Sequence, residues 1–359
     1  MAPTWMSPSG KYILWYEYAS KNYFVWDGMT IKNISSGIKV PLYDEEHDTP
    51  SDPSPYGVMG WIKDDAAVLV YDRYDVWKLD PAAVVAPKAL TNGNARKTKQ
   101  TYRALVRDVD KKYYEANESI LMSVFDNTIK QNAFAYLSPS GNLSAIKTTD
   151  KAFLVSSILG KDAVDNNGGI LYTKESYSRS PDLHYAVFSP RGQQAMTAPG
   201  ATVASTELKL SSINPQQSQY NWGTSSLYKW KTFTGKSSEG ILYKPEDFDS
   251  TKKYPVLFYF YETVTNGLNG YIPPSPTASR LNISFFVSRG YLVFAPDIYY
   301  TTGHPAKNAY DYVVSAATDL AKHKWVDAKN MGIQGQSWGG IQVAQLITMT
   351  NMFKAAWAG

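Results

Sequence analysis

Two folds in tandem are predicted: an all-β propeller, incomplete, over residues 1–225, then a truncated α/β-hydrolase domain, its N-terminal part only, over residues 226–359. Three observations lead there. Paired aromatic strands return about every 50 residues through the first two thirds of the chain, the period of a propeller blade. After residue 225 the strands become near-continuous apolar runs alternating with helical patterns, as in a sheet covered on both faces. Near the end stands Gly335-x-Ser337-x-Gly339, the pattern of a nucleophile elbow.

The repeating pieces are Tyr12 to Asp27, Val68 to Asp80, Ile120 to Ser138 and Ile170 to Ser189. Each is an apolar, aromatic strand, a polar turn and a second aromatic strand. Ser7-Pro-Ser-Gly-Lys11, Ser138-Pro-Ser-Gly141 and Ser189-Pro-Arg-Gly192 are recurrent turns beside them, and Trp61-Ile-Lys-Asp-Asp65 takes that place before the second repeat. No such small sheet can bury its face alone, so radial stacking is expected. Four units are few for a closed ring, so one or more further blades are expected upstream of residue 1. An ordinary all-β sandwich is the competing fold.

Asn214 to Gly223 is a polar connector. Leu227 to Thr234 and Gly240 to Lys244 alternate as a β-hairpin. Val256 to Tyr261 and Tyr291 to Ala295 are apolar strands, the second ending at Pro296-Asp297. Ala309, Val313, Ala316, Ala317 and Leu320 trace a helix face, with Asp311, Asp319 and Lys322 off it. A short strand, Met331 to Gln334, then leads into the elbow, and Ile341, Ala344, Leu346, Ile347 and Met349 mark the apolar face of the helix that follows. The motif requires this order. The strand must turn abruptly into a helix, with small neighbours so that the two can approach, and the strained turn lifts the serine hydroxyl out of the sheet. A Ser/Gly turn opening an ordinary helix is the competing reading.

Composition narrows the function. Tyrosine (27) and tryptophan (10) are abundant, which favours sheet over helical bundle. The net charge of +4 is spread without a basic run, so nucleic acid is not an expected partner. Cysteine is absent, which excludes disulfides, thiol catalysis and cysteine metal sites. The chemistry of the motif calls for no cofactor and no metal. No stretch approaches the ~18 apolar residues of a membrane span, and the first residues lack the charged and apolar regions of a signal peptide. Asp44-Glu45-Glu46-His47-Asp48 reads either as an anchor for a substrate amine or a metal, or as a solvated loop; Asp72-Arg73-Tyr74-Asp75 reads as a turn with an ion pair.

From Trp230 onward the chain resembles the catalytic domain of the prolyl oligopeptidase family, in its dipeptidyl peptidase IV and acylaminoacyl peptidase branches. The resemblance rests on Lys253-Tyr-Pro255 before a strand ending in Tyr261, on Ser288-Arg-Gly-Tyr-Leu-Val293, on Trp325-Val-Asp327 and on Gly332 to Gly340. The repeats resemble, less specifically, the propeller that precedes this domain. The resemblance implies a peptide substrate, Ser337 as the nucleophile, the Trp338 backbone N–H as one oxyanion donor and the Tyr261 hydroxyl as the other. It also implies a bacterial periplasmic or cytoplasmic location. Departures lie at Glu262-Thr-Val-Thr-Asn266 after the tyrosine, at Ile298 to Pro305, and at Trp338, where relatives commonly carry tyrosine. They bear on substrate preference more than on reaction type.

A serine hydroxyl needs a base, and in this fold Asp and then His follow the serine. His47, His184, His304 and His323 all precede Ser337, as do Asp297 and Asp327, which read as a strand-end and a turn residue. The catalytic acid and base are therefore expected beyond Gly359, the fragment alone is expected to be inactive, and the nucleophile strand is expected to have an open edge. The leading function is a serine peptidase acting on short peptides or N-terminal dipeptides. The alternatives are an esterase or acyl hydrolase of the same fold and a non-catalytic binding protein working through its propeller.

Overall fold

The computed structural model describes residues 3–105, 111–146, 154–158, 169–188, 202–203, 205–277 and 279–359. The chain forms two compact units. The first comprises Met1–His47, Ser51–Lys174 and Leu183–Ser211; the second comprises Asp48–Pro50, Glu175–Asp182 and Ser212–Gly359.

Four sheets fill the first unit among the described residues, each an antiparallel meander at its centre. The first runs through β1 (Thr4–Met6), β2 (Ile13–Glu17), β3 (Asn22–Trp26) and β4 (Ile31–Asn33). The second runs through β5 (Val58–Trp61), β6 (Val68–Tyr71), β7 (Val76–Leu79) and β8 (Lys88–Ala89). β9 (Gln100–Ala104), β10 (Ile120–Asp126), β11 (Gln131–Leu137) and β12 (Leu143–Ile146) form the third, with β16 (Thr202–Val203) parallel to β12 at its edge. The fourth has β13 (Leu154–Ile158), β14 (Gly169–Ser176), β15 (Arg179–Phe188) and β17 (Ser205–Lys209) in that order.

Alternation explains how they pack. Leu14 and Tyr16 of β2 and Tyr23 and Val25 of β3 point to one buried face, where Val68, Val70 and Leu79 of the next sheet meet them. Leu69 and Val76 pack in turn with Met122, Val124 and Leu137 of the third sheet, and Leu121 and Phe134 with Ile170 and Tyr172 of the fourth. Consecutive sheets thus share cores, as blades do. The recurrent turns also agree in detail. Gly10 and Gly141 both sit at positive φ and donate back to Ser7 and Ser138. Asp65, buried, accepts from the Ser7 hydroxyl at 2.6 Å and so ties one turn to the next repeat. The third Ser-Pro turn, Ser189 to Gly192, lies outside the described residues.

The second unit is a six-stranded sheet: β18 (Thr224–Lys231), β19 (Ser237–Lys244), β20 (Tyr254–Tyr259), β21 (Leu292–Pro296), β22 (Val326–Gly335) and β23 (Ala355–Ala358), in the order β18-β19-β21-β20-β22-β23. The first three neighbours pair antiparallel and the rest parallel. Val256 and Phe258 of β20 and Leu292 and Phe294 of β21 face a core closed by Val313, Ala316, Ala317, Leu320, Val343 and Leu346. Val293 and Ala295 face the opposite core with Ile283 and Val287. Helices on both faces explain why these strands read as unbroken apolar runs.

Three expectations are corrected. The strand before the elbow runs ten residues, and its far edge is not open, because β23 pairs parallel with it from Gly332↔Ala355 to Gly335↔Ala358. The helix Trp338–Met349 buries Gln342, Val343 and Leu346 and leaves Ile341, Ala344, Ile347 and Met349 exposed, so its apolar residues spread around the helix instead of marking one face. Asp311 is buried, not off the face. A π turn at Tyr310–Val314 inserted between Pro305–Ala309 and Ser315–Leu320 rotates it inward, where its carboxylate accepts from Thr234 N–H at 3.0 Å and from the Thr234 hydroxyl at 2.7 Å.

Candidate active site

Ser337 joins β22 to the helix Trp338–Met349 at φ 54° and ψ −115°, a conformation that costs a non-glycine residue of order 1–3 kcal/mol. The flanking glycines make it possible. A Cβ on Gly335 would lie 2.3 Å from the Gly339 carbonyl oxygen, and one on Gly339 would lie 2.5 Å from that of Phe260, at the end of β20. The turn is braced from its other side. Ser337 N–H donates to the Gly359 carbonyl at 2.6 Å, and Gly359 N–H donates to that of Gly335 at 3.0 Å. The side chain of Ser337 remains exposed. Trp338 occupies the first helical position, where an N–H has no intrahelical acceptor.

Tyr261 follows β20 and is 44% exposed. Its Cδ2 lies 3.8 Å from where a Gly339 Cβ would stand, so its ring borders the start of the helix. Its carbonyl accepts two hydrogen bonds, from Tyr300 Oη at 2.7 Å and from Gln342 Nε2 at 2.9 Å. The Tyr300 ring meets Trp338 edge-on at 5.7 Å, and burial holds its phenol well above the ordinary tyrosine range, so it stays protonated and donating. A cleft of about 520 Å³ opens here, lined by Tyr261, Glu262, Tyr300, Trp338 and Asp48 among others. Two of these residues are the sequence-derived candidates Tyr261 and Trp338, and Ser337 adjoins Trp338 directly.

Asp297, 1% exposed, clamps the loop beyond Tyr261: its carboxylate accepts from Val264 N–H at 2.5 Å and from the N–H and hydroxyl of Thr265 at 2.9 and 2.5 Å. Removing it strands two buried donors and one half-buried one. Asp297→Ala is expected to cost at least about 2 kcal/mol, read by urea denaturation. The acidic cluster is divided. Glu46 pairs with Arg73 at 2.6 Å and Glu45 with Arg96 at 2.9 Å, while Asp48 lines the cleft and accepts from Tyr300 N–H at 3.3 Å. Asp327, expected in a turn, lies instead within β22, where its carboxylate accepts from Lys329 N–H at 3.2 Å and from Asn330 Nδ2 at 2.7 Å.

Three of the histidines are engaged elsewhere. His323 stacks on Trp325 and lies 3.0 Å from Tyr228 Oη; His184 lies 3.1 Å from Glu207; His47 contacts Ser51; His304 precedes the helix Pro305–Ala309 in an exposed loop, and its side chain makes no capping bond. Among the described residues none hydrogen-bonds Ser337. Sequence reasoning did not find Tyr300 or Gln342. Tyr300 was visible as part of a departure from the family pattern. Gln342 gave no signal, because a helical glutamine is ordinarily solvated.

A strained serine between a parallel strand and a helix, in a sheet of this order and after stacked antiparallel sheets, defines a propeller-bearing α/β-hydrolase. Residues 276–359 match the model of the prolyl oligopeptidase family. The chain is 25% identical over 189 residues to dipeptidyl-peptidase 5 of Porphyromonas gingivalis, covering 49% of this chain and 25% of that protein. It is 32% identical over 120 residues to the probable dipeptidyl-peptidase 5 of Aspergillus terreus, covering 30% and 16%. Among solved structures it is similar to a putative dipeptidyl aminopeptidase IV from Bacteroides ovatus (TM-score 0.63, 14% identity, 98% of this chain and 50% of that one). Prolyl oligopeptidase B from Galerina marginata is similar at TM-score 0.59 and 14% identity, over 99% of this chain and 47% of that one. The chain thus spans about half the length of these two solved relatives. Among the described residues no helix is long and apolar enough to cross a membrane.

Proposed function

We propose that this chain carries the nucleophile half of a serine peptidase that hydrolyses short peptides or removes N-terminal dipeptides through an acyl-enzyme on Ser337. The strained, exposed serine, with a first-turn helix N–H that has no intrahelical acceptor beside it and Tyr261 alongside, is the observation that carries the reading. Ser337 Oγ attacks the scissile carbonyl carbon as a base takes its proton. The carbonyl oxygen becomes an oxyanion, which accepts from Trp338 N–H and the Tyr261 hydroxyl. The tetrahedral adduct collapses, the amine leaves with a proton, and water then hydrolyses the ester.

Tyr261 suits the role better than Tyr300, whose hydroxyl is spent on the Tyr261 carbonyl. A phenol can donate to an oxyanion without carrying charge. Tyr261→Phe is expected to lower kcat about a hundredfold to a thousandfold with little change in KM. None of the histidines described above hydrogen-bonds Ser337, so the 359 residues alone are expected to be inactive and the base to come from outside them. The test is release of arylamine from dipeptidyl- and aminoacyl-arylamides by the natural-length protein, with p-nitrophenyl esters alongside. Turnover of the esters alone makes it an esterase, no turnover of either favours a binding protein, and Ser337-dependent turnover by the 359 residues refutes their incompleteness.

A further inference from the structure

We infer that Gln342 and Tyr300 are positioning residues that hold Tyr261 in register with the Trp338 N–H, an inference that rests on reading Tyr261 as an oxyanion donor. The last main-chain bond between β20 and β22 runs from Phe260 N–H to the Gln334 carbonyl, at 3.4 Å. Beyond it Tyr261 leaves the sheet, and a residue outside the ladder needs other partners to fix its backbone. Its carbonyl finds two, and both are side chains.

Gln342 lies five residues after Ser337 on the same helix and is 1% exposed, beside the buried Val343. Burying an amide there is unfavourable unless it is hydrogen-bonded; its Nε2 bond to the Tyr261 carbonyl satisfies the donor end, while Oε1 has no partner among the described residues. One rigid helix therefore carries both the Trp338 N–H and the clamp on Tyr261. This sets the separation of the two donors, which an oxyanion site must hold to within a fraction of an ångström. Tyr300 closes the arrangement from the loop after β21. Its own main chain is held by Asp48, its ring by Trp338, and burial keeps its phenol protonated.

The prediction concerns kcat. In the natural-length enzyme, Gln342→Met removes the donor while keeping side-chain bulk. It should lower kcat on the order of tenfold to a hundredfold, the cost of a small misplacement, with KM nearly unchanged. Tyr300→Phe, a milder change, should act in the same direction. The decisive readout is a double-mutant cycle. If both residues act through the Tyr261 hydroxyl, adding either substitution to Tyr261→Phe should lower kcat no further. Losses that add fully to that of Tyr261→Phe, or that appear in KM or melting temperature with kcat intact, overturn the inference. If Gln342→Met does not fold, the Tyr300→Phe cycle decides alone. A Tyr261→Phe enzyme with undiminished kcat removes the reading of Tyr261 itself. Loss at Tyr261 without loss at Gln342 or Tyr300 removes only the positioning roles.

Discussion

Ser337→Ala is expected to lower kcat of the natural-length enzyme by about a millionfold, the scale on which removal of a serine nucleophile disables comparable machinery. The same position makes an opposite prediction for stability. Ser337 holds φ 54° and ψ −115° because the strand β22, the helix and the Gly359 carbonyl all constrain it. Alanine suffers the same steric conflict, so Ser337→Ala should unfold at nearly the wild-type denaturant concentration. Glycine does not suffer it. Ser337→Gly should be equally inactive yet more stable by about 1 kcal/mol, measurable by urea denaturation of the 359-residue chain. A destabilised Ser337→Gly would mean that the backbone strain is not real and that the elbow geometry is wrong. A Ser337→Ala enzyme that keeps its turnover would place the chemistry at another residue.

Much of this organisation was legible in the chain because it rests on local rules. Alternating aromatic strands such as Ile13–Glu17 and Asn22–Trp26 have period two, and their turns recur as Ser-Pro-x-Gly. Apolar runs such as Val256 to Tyr261 announce a sheet covered on both faces. What was not legible depends on distant segments meeting. The π turn that buries Asp311 has no simple local signature, and it moved a carboxylate from the solvent side of a helix to the turn around Thr234. β23 pairs along the full elbow end of β22, although Ala355–Ala358 is short and exposed on every residue. The site shows the same division. Ser337, Trp338 and Tyr261 were proposed from motif and resemblance. Gln342 and Tyr300 both donate to the Tyr261 carbonyl, and a backbone acceptor leaves no trace in the sequence.

Gly339→Ala should damage fold and site together, and it separates the two reasons a glycine can occupy this motif. Gly339 is helical, so an alanine there would ordinarily help the helix by about 1 kcal/mol. Here its Cβ would stand 2.5 Å from the Phe260 carbonyl oxygen. That oxygen belongs to the main chain one residue past β20, which is paired with β21 on one side and β22 on the other, so it has little room to retreat. The helix would have to move instead, away from Tyr261 and out of its packing through Val343 and Leu346. Overpacking of this kind costs about 1–3 kcal/mol. A displacement of even about 1 Å between Trp338 and Tyr261 should cost on the order of a hundredfold in kcat. Gly267 supplies the control, because a Cβ there meets nothing within 4 Å and its φ is not positive. Gly267→Ala should leave both stability and kcat close to wild type. If Gly339→Ala instead behaves like Gly267→Ala, the contact of helix and strand is looser than 2.5 Å implies, and the register between the two proposed oxyanion donors must be set elsewhere.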